Sequence, residues 1–221
     1  MTDFSTARRN MVDCQVRPSD VTDIRIIDAM LALPREAFVP EEQRALAYLD
    51  LDLDVSQKGP AKRYLIKPMV IARMIQAAEI KSTDSVLVVG CATGYTAALA
   101  AKLAGRVTAT ESDSALAARA KGILATLGLD SVTIVTATAP AGEPVHAPYD
   151  VIVLEGATEV VPDQLYRQLA DQGRLVGVFA TSRPQRAVLV THSHSDFGDR
   201  SLFDASAPVL PGFERREAFV F

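Results

Sequence analysis

The chain has 221 residues, of which 48% are hydrophobic and 23% charged, close to the averages for a globular protein. Its 27 acidic and 23 basic side chains give a net charge of −4, which argues against partners bound through phosphate neutralisation, namely nucleic acid and anionic membrane surfaces. Two cysteines cannot form a disulfide framework, and no apolar run is long enough to cross a bilayer, so we expect a cytoplasmic protein.

The first 80 residues predict a mainly helical N-terminal extension. Apolar side chains recur at helical spacing over residues 21–33, with Thr22 or Asp23 as the N-cap. Leucines alternate with aspartates over residues 49–55, which indicates a strand with one wet face. Pro68 suits the first turn of a further helix.

From residue 84 onward, short apolar runs alternate with helical segments. The runs are residues 86–89, 106–110, 132–135, 151–154, 175–179 and 187–190. Because these runs are apolar on both faces, we predict an α/β fold with a mostly parallel sheet covered on both sides. Residues 217–221 alternate between polar and apolar and predict an antiparallel edge strand.

A glycine loop follows the first of these strands and leads into a helix. Its residues are Gly90, Cys91, Ala92, Thr93 and Gly94. Backbone N–H groups converge at such a turn and bind anionic or nucleoside-like ligands. A dinucleotide site would need glycine at positions 92 and 95, so the G-x-G-x-G spacing of S-adenosylmethionine-dependent methyltransferases fits better, with alanine as its one substitution. A plain strand–helix turn is the alternative.

An acidic residue, Glu111, ends the second strand and is followed by Ser112. At this place a carboxylate can accept hydrogen bonds from both hydroxyls of a ribose. The alternative is a glutamate that complements the dipole of the following helix. The loop and the acid together favour the ribose interpretation. Because a strand-end glutamate beside a loop is not a core residue, we expect Glu111→Ala to leave the fold intact.

The sequence resembles the protein-L-isoaspartate O-methyltransferase family. Segments that carry the resemblance are residues 11–17, 34–40, 90–95, 147–150, 161–162 and 173–176; the most specific is Pro-Arg-Glu-x-Phe-Val-Pro at 34–40. The resemblance implies a Rossmann-like methyltransferase fold with a seven-stranded, mostly parallel sheet. It implies one domain over 1–221, in which 1–80 form the helical extension and substrate-side segment and 81–221 the cofactor-binding core.

The resemblance also implies a protein-repair reaction, in which S-adenosylmethionine is the cofactor and the carboxylate of isoaspartyl residues in damaged proteins is methylated. We expect the enzyme to be a monomer or a weak homodimer. Cofactor-binding residues would be Gly90, Cys91, Ala92, Thr93, Gly94, Glu111, Ser112, Thr138 and Ala139. Substrate-side residues would be Ile66, Lys67, Pro68 and Glu155. No catalytic base and no metal are implied, because the substrate carboxylate is itself the nucleophile.

Several positions depart from the family pattern. Ile66 stands where the family has Ser or Thr, and Val88 stands where an acidic residue is usual. Ala92 replaces a loop glycine, and Thr138-Ala139 replace an Asp-Gly pair. Glu155 places a carboxylate where a carboxylate substrate would be repelled. Two alternatives therefore stay open: a methyltransferase with a different acceptor, and a non-catalytic member that acts as a binding module.

Three further side chains carry competing interpretations. Lys67 could hold a substrate carboxylate as a point charge, or be an ordinary exposed lysine. Cys91 at a helix N-terminus could be reactive, although a small buried filler is favoured. His192 and His194 share one face of a predicted strand end and could form a metal pair. Because the sequence offers no third ligand nearby, solvent-facing histidines are favoured.

Overall fold

A computed structural model describes residues 3–56, 62–194 and 196–215. Its helices are α1 Phe4–Met11, α2 Ile24–Ala32, α3 Pro68–Ala78, α4 Tyr95–Ala101, α5 Ser114–Thr126 and α6 Asp163–Tyr166. Its strands are β1 Leu53–Asp54, β2 Tyr64–Leu65, β3 Ser85–Val89, β4 Arg106–Glu111, β5 Thr133–Thr136, β6 Tyr149–Thr158, β7 Leu169–Phe179, β8 Arg186–Ser193 and β9 Asp196–Asp204.

Seven strands form one sheet in the order β5-β4-β3-β6-β7-β8-β9. Each neighbouring pair from β5 to β7 is parallel, while β8 is antiparallel to both β7 and β9. The chain passes from β3 to β4 through α4, from β4 to β5 through α5 and from β6 to β7 through α6, the helical crossovers usual between parallel strands, whereas two 3₁₀ turns lead from β5 to β6. The α/β class and the mostly parallel seven-stranded sheet predicted from the sequence are confirmed.

The hydrophobic core lies on both faces of this sheet. Along β3, Val86 and Val88 belong to one core cluster and Leu87 and Val89 to the other, because successive strand side chains point to opposite faces. All four side chains are fully buried. This double burial explains why continuous apolar runs in the sequence mark the parallel strands.

The N-terminal extension is helical where the pattern predicts helices. Asp23, not Thr22, caps α2: its carboxylate accepts a hydrogen bond from the Arg25 N–H at 2.9 Å. Pro68 is the first residue of α3, where its missing N–H costs nothing. The proposed division into residues 1–80 and 81–221 stays a prediction.

The strand predicted over residues 49–55 is wrong for most of its length. Only Leu53 and Asp54 are in a strand, which pairs with Tyr64 and Leu65 of β2. Leu49 and Leu51 are each 46% exposed in a run of turns. The alternation resembled a strand, but β2 offers a partner over two residues only, so the ladder cannot extend.

The sequence gives no sign of β9, the sheet strand that pairs with β8. Its first six residues are exposed, so it carries no apolar run. Pairing with β8 over eight register positions holds it in place instead. The edge strand predicted at residues 217–221 lies outside the described residues. Among the helices that the structure describes, none is long and apolar enough to cross a membrane.

Candidate active site

The candidate site lies where β3, β4 and β6 end at the same edge of the sheet. The glycine loop leaves β3 and enters α4 through three residues with positive φ: Gly90 at 71°, Ala92 at 50° and Gly94 at 96°. Ala92 therefore adopts a left-handed conformation that L-residues with a Cβ rarely take. The Cys91 N–H donates to the Thr110 carbonyl at 2.8 Å, which ties the loop to β4. Every residue of the loop is buried.

The segment at residues 34–40, the most specific part of the family resemblance, supports this loop. Thr93 Oγ1 donates a hydrogen bond to the Phe38 carbonyl at 2.5 Å. Arg35 is fully buried and donates to the carbonyls of Ala47 and Ile66 at 2.9 and 2.8 Å. Its guanidinium lies 4.6 Å from the centre of the Tyr95 ring, a cation–π distance. The segment thus joins the extension to the loop and to residue 66.

Glu111 is at the end of β4, as the sequence predicts, but it is completely buried. Its carboxylate accepts hydrogen bonds from the Ala92 N–H at 2.8 Å, the Ser112 hydroxyl at 3.2 Å and the Asp113 N–H at 3.1 Å. A fourth group, the guanidinium of Arg63, approaches both oxygens. The expectation that Glu111 lies outside the core is therefore wrong: its charge is enclosed by the loop and by another chain segment.

Arg63 is the counter-ion of Glu111. Nη2 lies 2.8 Å from Oε2, and Nε lies 3.1 Å from each carboxylate oxygen. The same Nη2 also donates to the Gly90 carbonyl. The arginine side chain is 4% exposed, so the pair is buried. Arg63 lies in the connection between β1 and β2, directly before Tyr64, and its carbonyl accepts a 2.9 Å hydrogen bond from the Val55 N–H, which extends the pairing of the two strands.

Leu210 also lies against the glycine loop. Residues around it pair with the end of β6: the Leu210 N–H donates to the Ala157 carbonyl at 2.9 Å. A Cβ atom placed on Gly90 would lie 2.7 Å from Leu210 Cδ2 and 2.8 Å from Arg63 Nη2. Both side chains therefore contact the loop at the face where the sequence predicts a ligand.

Glu155 lies near the carboxyl end of β6, within an irregularity of its pairing with β7 between Val153 and Ala157. The carboxylate is 1% exposed, and neither oxygen has a hydrogen-bond partner among the described residues. Burial raises the pKa of Glu155 to about 7, although the positive charges of Arg35 and Arg63 oppose the shift. Near neutral pH this carboxyl group is therefore partly protonated.

The other predicted site residues are distributed around this edge. Ile66 is buried and its carbonyl accepts the bond from Arg35, while Pro68 begins α3. Lys67 has a partner, because its Nζ lies 3.9 Å from Asp52 Oδ2. The ammonium group proposed to hold a substrate carboxylate is therefore already paired with a carboxylate of the protein. Thr138 is exposed and Ala139 is buried at the start of a 3₁₀ turn. Their roles toward a cofactor or substrate stay predictions.

The remaining candidates have ordinary structural surroundings. Burial raises the pKa of the Cys91 thiol well above its usual range, which leaves it a poor nucleophile. His192 Nδ1 lies 2.9 Å from the Ala170 carbonyl oxygen, and its ring stacks on Phe197. Within residues 3–56, 62–194 and 196–215, no three metal-ligating side chains come together as a metal site.

Two residues at the site were missed from the sequence, Arg63 and Leu210. Arg63 lies in a short polar stretch and Leu210 follows the last apolar run, so neither belongs to a motif. Arg35 was noticed only as part of the family segment. Its burial could have been suspected, because an arginine between prolines in an apolar segment needs partners for its donors.

A mostly parallel sheet with a glycine loop after one strand, and an acidic residue at the end of its neighbour, is typical of Rossmann-like nucleotide-binding folds, the architecture that S-adenosylmethionine-dependent methyltransferases share. Comparison with known proteins agrees. Residues 7–201 match the family model described as protein-L-isoaspartate(D-aspartate) O-methyltransferase. The chain belongs to this family, which confirms the resemblance and the methyltransferase class expected from the sequence.

Individual relatives bear the same name. A protein-L-isoaspartate O-methyltransferase of Roseiflexus castenholzii is 38% identical over 174 residues, 79% of this chain and 78% of that protein. One of Rhodopseudomonas palustris is 36% identical over 206 residues, 92% of this chain and 93% of that protein.

Solved structures extend the likeness to the fold. One titled protein-L-isoaspartate O-methyltransferase superposes with a TM-score of 0.80 at 24% identity, over 93% of this chain and 66% of that one. A Plasmodium falciparum structure, titled a putative member in complex with S-adenosyl-L-homocysteine, gives 0.76 at 16% identity over 95% and 99% of the two chains.

S-adenosylmethionine is the methyl donor of this class. The loop and Glu111 lie where its nucleoside would bind. A carboxylate has about four lone-pair sites, however, and those of Glu111 are already shared by five donors: two backbone N–H groups, the Ser112 hydroxyl, and the Nε–H and Nη2–H groups of Arg63. The residues fit the group in type and position, but the ribose hydroxyls find no free acceptor while Arg63 is in place.

Proposed function

We propose that this chain is an S-adenosylmethionine-dependent methyltransferase that methylates the carboxylate of isoaspartyl residues in damaged proteins or peptides. The observation that carries the proposal is the extent of the relationship: 36% identity over 92% of this chain and 93% of the Rhodopseudomonas palustris enzyme. A match of that length covers the extension and the sheet alike, and not the common cofactor-binding core alone.

The reaction demands little acid–base chemistry from the chain. An isoaspartyl carboxylate is ionised at pH 7 and is itself the nucleophile, and the bound cofactor would supply an electrophilic methyl group. The protein contributes alignment and exclusion of water, effects worth roughly 7–11 kcal/mol in well-oriented reactions. Here Arg35 joins the 34–40 segment to Ile66, and Thr93 joins the same segment to the glycine loop, which supports a fixed geometry between the proposed substrate and cofactor residues.

Glu155 favours a second candidate, a methyltransferase with a different acceptor. The sequence interpretation assigns Glu155 to the acceptor side, and burial raises the pKa of its carboxyl group to about 7, so it could take a proton from an amine or hydroxyl nucleophile. A carboxylate acceptor has no proton to give, and ionised Glu155 would repel it. This candidate keeps the cofactor and the fold and changes only the substrate.

Methyl transfer to a matched pair of peptides separates these functions. With labelled S-adenosylmethionine, we expect base-labile label on a peptide that contains one isoaspartyl residue. The same peptide with an ordinary aspartyl residue should remain unlabelled and is the control. Absence of label on both, from protein that binds the cofactor, would contradict the isoaspartyl substrate; base-stable label on an amine acceptor would support the second candidate.

A further inference from the structure

Arg63 donates hydrogen bonds to the same carboxylate oxygens of Glu111 that a cofactor ribose would use. A ribose would present two hydroxyl donors to Glu111, and the guanidinium of Arg63 presents Nε–H and Nη2–H donors to the same two oxygens at 2.8–3.1 Å. Arg63 thus supplies from within the chain the hydrogen bonds that a nucleoside would supply from solution. Both sets cannot be accepted at once, because two backbone N–H groups and the Ser112 hydroxyl already donate to these oxygens, and seven donors would then share about four lone-pair sites.

A second side chain, that of Leu210, also lies against the glycine loop. Leu210 is 1% exposed and reaches to within 2.7 Å of a Cβ position on Gly90, and Arg63 Nη2 reaches to 2.8 Å. In a nucleotide-binding turn, the glycine leaves room for close approach of the ligand to the backbone. Here that room holds a leucine methyl group and a guanidinium. The loop, the carboxylate and the two covering side chains are all buried.

We propose that Arg63 is an internal competitor for the nucleoside site, so that S-adenosylmethionine or S-adenosylhomocysteine binds only when the guanidinium leaves Glu111. Arg63 thereby sets the cofactor affinity of the enzyme. This inference rests on the proposed function, since it assumes that Glu111 serves the cofactor. The part of the chain that would move is Arg63 with the adjoining β2, and β2 is held to β1 by two register pairs.

Calorimetric titration with S-adenosylhomocysteine tests the competition. Arg63→Gln removes the charge but keeps an amide donor for Glu111. We expect its dissociation constant to be at least tenfold lower than that of the unaltered chain. Arg174→Gln is the matched control: Arg174 Nη2 lies 2.6 Å from Asp84 Oδ2 in another largely buried pair, at the opposite end of β3. It should bind with the affinity of the unaltered chain.

Each outcome decides the matter. Equal or weaker binding by Arg63→Gln overturns the competition and leaves the proposed function standing. Absence of binding by both proteins overturns the competition and also contradicts the proposed function. Tighter binding by Arg63→Gln, with no methyl transferred to the isoaspartyl peptide, supports the competition and contradicts the substrate. If the glutamine variant does not fold, Arg63→Lys keeps the buried charge with fewer donors, and its affinity must still exceed that of the unaltered chain.

Discussion

Glu111→Ala should lower the free energy of unfolding by about 3–5 kcal/mol, because it leaves the buried guanidinium of Arg63 without its counter-ion. The substitution also removes the acceptor of the Ala92 and Asp113 N–H groups, and an unmade bond to a buried donor is costly. The measurement is urea unfolding of the variant and of the unaltered chain, with a comparison of the slopes of unfolding free energy against urea concentration.

The double variant Arg63→Ala/Glu111→Ala separates the ion pair from the loop contacts. We expect it to be more stable than Glu111→Ala alone, since no uncompensated charge then remains in the interior. A loss below about 1 kcal/mol for Glu111→Ala, the range of exposed ion pairs, would show that the pair is open to water in solution.

Glu155→Gln should raise the free energy of unfolding by about 3 kcal/mol at pH 8 and change it little at pH 4. Burial raises the pKa of Glu155 to about 7, whereas the unfolded chain has the ordinary value of 4.5. Between those values the folded form holds a proton that the unfolded form has released, so the contribution of this group to stability falls as the pH rises. Above pH 7 the whole penalty is present, and glutamine removes it.

Urea unfolding at several pH values checks this difference between the variant and the unaltered chain. Glu42→Gln, which makes the same chemical change at an exposed position of the extension, is the control. A difference for Glu155→Gln that is the same at pH 5 and pH 8 would mean that Glu155 does not titrate near neutrality.

The parts of the fold that were predictable are those in which burial leaves a local pattern. The strand ending in Val89 is apolar on both faces because the sheet is covered on both sides. The glycine loop is predictable because it directly follows this strand in the sequence. β9 leaves no pattern, since its first six residues are exposed and its place depends on backbone pairing with β8. Residues 49–52 show the reverse: alternation without a partner strand does not make a strand.

The candidate site divides in the same way. Glu111 could be placed from its offset to the loop, because both belong to one β–α–β unit. Its partner Arg63 could not, since the ion pair joins two segments far apart in the chain and many other arginines are available. Leu210 likewise reaches the loop through a single bridge between Ala157 and Val209. Tertiary contacts of this kind leave no trace in local sequence.

A crystal structure of the chain with S-adenosylhomocysteine tests most directly whether the cofactor and Arg63 share one carboxylate. We expect the ribose hydroxyls on Glu111 and the guanidinium of Arg63 withdrawn from it, so that the 2.8 Å contact between Nη2 and Oε2 is broken. A complex with the ligand on the glycine loop and that contact intact would contradict both the competition and the assignment of Glu111 to the ribose.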